Sequence, residues 1–127
     1  MAFTDYKRLI LFEPEEVSLL IPIVNVCWDL IEKAFEYRLD ELDIKKVKWF
    51  RQVLDILESA KEMSLDCVIE VYVGTHDEVR MIKDLLFDVM PYYSESTRGM
   101  YLSAALKFDK VYQYHYHLLN GDDHQWN

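Results

Sequence analysis

The sequence predicts an all-α domain, a small bundle of four to five helices with a kink in the first. Three observations predict it. Only 3 glycines and 3 prolines punctuate the 127 residues, too few for a many-turned β fold. Residues 44–62 place Val47, Phe50, Leu54 and Leu57 at spacings of three and four, widened by Ile44, Val53 and Ala60. That is one broad apolar helix face. The link Asp40-Glu41-Leu42-Asp43 is short, which makes the helices on either side of it, 23–39 and 44–62, antiparallel neighbours. A single domain over 1–127 follows from the length and from the 51% hydrophobic content, with no staple needed to support its core.

Taken in order, Leu9, Ile10, Leu11 and Phe12 read as an extended arm lying on the bundle. Pro14, Glu15 and Glu16 open the first helix: proline fits the first turn, and the acids suit the positive end of the helix dipole. That helix spans 14–39, with a kink or break at Pro22, which has no N–H to donate to residue 18. Val24, Cys27, Trp28, Ile31, Phe35 and Leu39 form its stripe. Asp43 is the expected N-cap of the helix over 44–62.

Residues 65–73 fit two periods. Period two sets Leu65, Cys67, Ile69, Val71 and Val73 on one face, as a strand would. Period three to four aligns Leu65, Val68, Ile69 and Tyr72 behind a Ser64 cap, and the helical flanks favour this helix. The alternative architecture is α+β, with a small two-stranded sheet from 8–12 and 65–73. Gly74 is expected in a left-handed stop. Thr75 and Glu78 then form a capping box for a helix over 77–90, ended by Pro91. The last helix spans 98–119 with Leu102, Ala105, Leu106, Tyr112, Tyr116 and Leu119 inward. Asn120 and Gly121 stop it, and 122–127 form a flexible polar tail.

Charge narrows the function. With 14 basic against 23 acidic residues the net charge is −9, so direct nucleic-acid binding is not expected. The longest apolar run, residues 17–28, is interrupted and too short to cross a bilayer, so no membrane insertion is expected. The start of the chain lacks a secretory signal, and the two cysteines are expected reduced in the cytoplasm.

Catalytic signatures are weak. His115, His117 and His124 with the neighbouring aspartates have metal-ligand chemistry, but residues two apart diverge on a helix. No metal site and no cofactor is therefore assigned. Cys67 with His76 is a conceivable nucleophile and base, separated by the Gly74 break. The paired carboxylates mostly oppose the apolar stripes and read as solvated faces.

The binding hints are aromatic and basic. Tyr92, Tyr93 and Tyr114 belong to a tyrosine-rich last third, and tyrosine combines a large ring with a polar handle. Lys45, Lys48 and Arg51 form the basic patch of an acidic chain. These six residues are the candidate protein-binding set. The expected function is a non-catalytic protein-interaction module or small regulatory protein that binds a partner or itself, with a homodimer in view. The alternative is an acidic inhibitor or nucleic-acid mimic that fills a basic groove. A small enzyme or metal-binding protein is the third reading.

Overall fold

The computed structural model describes residues 7–35 and 41–120, with the side chains of 34, 35 and 41–46 outside that description. Its order is β1 (Lys7–Phe12), α1 (Pro14–Phe35), α2 (Glu41–Met63), β2 (Cys67–Tyr72), α3 (His76–Val89) and α4 (Glu95–Leu119). Four helices form the bundle, and β1 and β2 make a two-stranded antiparallel sheet on it. The all-α expectation is thereby corrected. Residues 67–72 form a strand because β1 supplies the partner that the helical reading denied them. Ile10 stands opposite Ile69, with Phe12 opposite Cys67 and Arg8 opposite Val71.

Burial alternates along both strands, as a pleated strand with one covered face requires. Ile10 and Phe12 of β1 are buried, as are Cys67, Ile69 and Val71 of β2. Phe12 meets Phe108 of α4 with ring centroids 5.3 Å apart. The two helical hairpins, α1 with α2 and α3 with α4, enclose the rest of the core. The sheet is flanked by α2 on the β2 side and by α4 on the β1 side.

The α1 start behaves as the sequence implies. Pro14 occupies the first helical position, and the Glu13 amide donates to Glu16 Oε1 at 3.0 Å, half of a capping box. Helix α1 runs through Pro22 without a break; Pro22 is exposed, so the missing hydrogen bond falls on the solvent side. Helix α2 begins at Glu41, so Asp43 lies inside it and is not its cap. The predicted end of the first helix near Leu39, Gly121 and the 122–127 tail lie outside the described residues.

Three terminal details differ from expectation. Ser64, at φ 54°, takes the left-handed position that ends α2. Its amide bonds Lys61 O at 3.2 Å and the Leu65 amide bonds Ala60 O at 2.9 Å, the paired pattern of a Schellman stop. Gly74 instead sits in a right-handed 3-10 turn over Val73–Thr75. The Thr75 hydroxyl donates to Tyr72 O at 2.7 Å and makes no cap bond to α3, so the capping box is not built.

Helix α4 starts at Glu95, earlier than 98, with Ser94 before it. Its inward face is also corrected. Tyr101, Ala104, Ala105, Phe108, Val111 and His115 are buried, while Leu102, Leu106, Tyr116 and Leu119 are exposed. Ala104 and Ala105 are fully buried beside Phe108, the residue that packs on Phe12.

Candidate functional site

The outward face of the sheet is the least expected surface of the molecule. Its cross-strand pairs are Lys7 with Tyr72, Leu9 with Glu70 and Leu11 with Val68. One end is polar: Lys7 Nζ reaches Glu70 Oε1 at 3.3 Å and the Tyr72 hydroxyl donates to Glu70 Oε2 at 2.6 Å. The Tyr72 hydrogen bond, then Lys7, holds the Glu70 carboxyl below its usual range. The other end is apolar and open. Leu9 is 62% exposed, Leu11 55% and Val68 46%, and Met63, Leu65 and Ile56 continue the apolar surface beyond β2. Adjoining exposed apolar side chains on an antiparallel sheet mark a place where another surface can be buried.

The two flanks of this face carry opposite charge. Beside β2, a hollow of about 580 Å³ lies against α2, bordered by Asp55, Gln52 and Glu70, with Asp66 on an adjoining hollow. Trp49 closes part of that side, its indole N–H donating to Glu70 O at 2.7 Å. Beside β1, a hollow of about 470 Å³ runs between residues 8–11 and α4, bordered by Lys107, Lys110, Val111 and Tyr114. The Arg8 guanidinium stacks on the Tyr114 ring, 3.8 Å from its centroid, which lets a cation lie on an aromatic face.

Lys107 joins this flank to the core. Its ammonium donates to Glu16 Oε1 at 2.6 Å and to Leu11 O at 3.0 Å. Ser103 donates to Glu16 Oε2 at 3.1 Å, so the buried Glu16 carboxylate is well satisfied. The helix-start acid that the sequence assigns to the dipole is also the anchor of α4 on the β1–α1 corner.

The five sequence-predicted residues whose side chains are described do not form one site. Tyr92 is 87% exposed on the turn after α3, and Tyr93 stacks on Tyr101 with centroids 4.8 Å apart. Tyr114 lies about 28 Å further along α4 at a rise of roughly 1.5 Å per residue. Lys48 and Arg51 are exposed on α2, and the Lys45 side chain lies outside the described residues. Among the five whose side chains are described, Tyr114 alone borders one of the hollows beside the sheet. Leu9, Leu11, Val68, Arg8, Lys107 and Lys110, which border the sheet, lie outside the predicted set. A legible signal existed: 7–12 and 67–72 carry apolar residues on both alternating faces, more than one covered face requires.

The histidines and cysteines are dispersed. His115 is fully buried, with neither ring nitrogen hydrogen-bonded. Burial, then His76 and Arg8, push its pKa down to about 4. His76 stacks on Tyr112 at 4.3 Å, and its centroid is 6.3 Å from that of His115. His117 is half-buried and His124 lies outside the described residues. Among the described residues no three His, Cys, Asp or Glu side chains are grouped to hold a metal. Burial raises the Cys27 thiol to about 12, and burial, then Asp66 and Glu16, raise the Cys67 thiol. Cys67 begins β2 while His76 follows its far end, a strand length of roughly 20 Å apart.

No family model, no curated protein and no solved structure matches this chain. Among the described residues, no helix is long and apolar enough to cross a membrane.

Proposed function

We propose that the protein is a non-catalytic binding module of the cytoplasm that buries the outer face of its sheet against another protein chain, either a different protein or a second copy. The carrying observation is the open apolar strip of Leu9, Leu11 and Val68, extended by Met63 and Leu65. A closed monomer has no need of three large apolar side chains on the outward face of a six-residue strand pair. The raised thiols support a non-catalytic role, because the thiolate is the nucleophilic form. Both cysteines are free and buried, which suits a reducing compartment.

The double variant Leu11→Lys/Val68→Lys tests this reading. The expected result is an unchanged melting temperature, with loss of the partners or the self-association that wild-type protein shows in native extract and in light scattering. Equal capture and equal mass in the two proteins would overturn it.

The acidic-mimic reading stands second. It draws on Asp77, Asp84 and Asp88 around a hollow between α1 and α3. Arg80 borders the same hollow and reaches Asp84 at 3.7 Å, which interrupts the acidic run.

A further inference from the structure

The geometry points to the free edge of β1 as the seat of an extended, acidic segment of a partner protein, added to the sheet as a third strand. This rests on the binding-module reading and specifies its partner. Two side-chain bonds fix which backbone groups face outward. Trp49 takes the carbonyl of Glu70 from the α2 side, and Lys107 takes the carbonyl of Leu11 from the α4 side. Glu70 pairs with Leu9, and Leu11 pairs with Val68. In an antiparallel ladder the pairs alternate between bonding each other and pointing away. Both observations put Leu9 and Leu11 in the outward set, so the Leu9 N–H and C=O face the hollow beside α4. Among the described residues the sheet has two strands, and no third lies on that edge.

The hollow has the shape and charge for a strand. It follows four consecutive residues of β1 and is floored by one face of α4. A strand laid there alternates its side chains. One set continues the outer face beside Leu9 and Leu11 and is therefore apolar. The other set meets Lys107, Lys110 and the Arg8–Tyr114 stack and is therefore acidic. Lys107 is already paired with Glu16, whereas Lys110 is exposed and makes no ion pair among the described residues. Edge lysines are a common guard against uncontrolled strand pairing. A second copy would bring its own Arg8, Lys107 and Lys110 to the same edge, so charge disfavours self-pairing and favours an acidic partner. The net charge of −9 opposes such a partner only at long range, since the screening length is about 8 Å at physiological salt.

The test uses the full chain and a synthetic peptide of about eight residues alternating Val and Glu, a usual strand length. A Val/Lys peptide is the control. Binding is read by fluorescence anisotropy, and position by amide hydrogen exchange at Leu9. The expected result is binding of the Val/Glu peptide alone, with Leu9 exchange slowed about tenfold or more. Lys110→Glu should weaken binding roughly tenfold, the size of one good ion pair at a partly desolvated edge. Leu9→Pro should abolish it by removing the outward donor. Thermal unfolding checks each variant, and Lys110→Glu keeps the test decisive should Leu9→Pro fail to fold. Equal binding of the two peptides, binding without Leu9 protection, or no binding of either would overturn the proposal. So would concentration-dependent Leu9 protection without peptide, which would assign the edge to a second copy. Loss of native partners in Leu11→Lys/Val68→Lys together with a negative peptide result would sink the strand-addition proposal and leave the binding-module reading intact.

Discussion

The two edges of the sheet are built differently. At the β2 edge the Trp49 indole caps the Glu70 carbonyl and the surrounding side chains are mainly acidic. At the β1 edge Lys107 takes the Leu11 carbonyl, a hollow beside α4 lies along residues 8–11, and the surrounding side chains are basic. An open edge next to three outward apolar side chains is a surface that another chain can complete. The difference separates residues that hold the fold from residues that are left for binding, and that separation can be attacked by mutation.

The largest expected effect sets neighbours on β1 against each other. Phe12→Ala removes a fully buried ring packed on Phe108 and should cost about 3–5 kcal/mol. Leu11→Ala, one residue away on the outer face, should stay within roughly 0.5 kcal/mol. Denaturant unfolding of the two variants checks the contrast. Equal losses would mean that the outer face is also structural.

The second effect is pH dependence. His115 is held neutral in the folded protein down to about pH 4, against an ordinary value of 6.5. Between these values the unfolded chain takes a proton that the folded chain refuses. Stability is therefore intact above pH 6.5 and falls as pH drops toward 4, by up to about 3 kcal/mol. Urea midpoints across this range should fall in the wild type and fall less steeply in His115→Phe, where His76, also lowered by burial, leaves a smaller slope of the same sign.

Trp49→Phe sharpens the comparison of edges. It keeps a buried ring but deletes the bond to Glu70 O, at an expected cost of about 1–2 kcal/mol. Faster amide exchange along β2 should accompany the loss. The smallest effect is a gain: Ser64→Gly relieves the positive φ at the end of α2 and should raise stability by no more than about 1 kcal/mol, a few degrees in melting temperature.

The helical frame was legible because its signals are local. Pro14, the stripe of 44–62, the apolar positions of α3 and the stop at Pro91 each act within a few residues. Residues 67–72 were not, since Cys67, Ile69 and Val71 satisfy period two while Val68, Ile69 and Tyr72 satisfy the helical period. What decides between them is β1, a partner roughly sixty residues earlier in the chain. Thr75 and Glu78 carry a capping-box pattern, yet the Thr75 hydroxyl turns back to donate to Tyr72 O and accepts no bond from the first turn of α3. The site was harder still. The basic run at Lys45, Lys48 and Arg51 is local in the chain, whereas the cations beside the β1 edge, Arg8, Lys107 and Lys110, come together only through the fold. On α4 the buried face carries the small Ala104 and Ala105, while larger residues such as Leu102 and Leu106 face out, so side-chain size and apolarity did not mark it.

The measurement that bears most directly on the open edge is residue-resolved amide hydrogen exchange in the free protein at Leu9 and Ile10. The Ile10 amide belongs to the set that bonds β2, and the Leu9 amide faces the hollow. An open β1 edge gives strong protection at Ile10 and exchange near the unprotected rate at Leu9. Equal, strong protection at both positions in dilute solution would show that the β1 edge is already covered and would contradict an open edge.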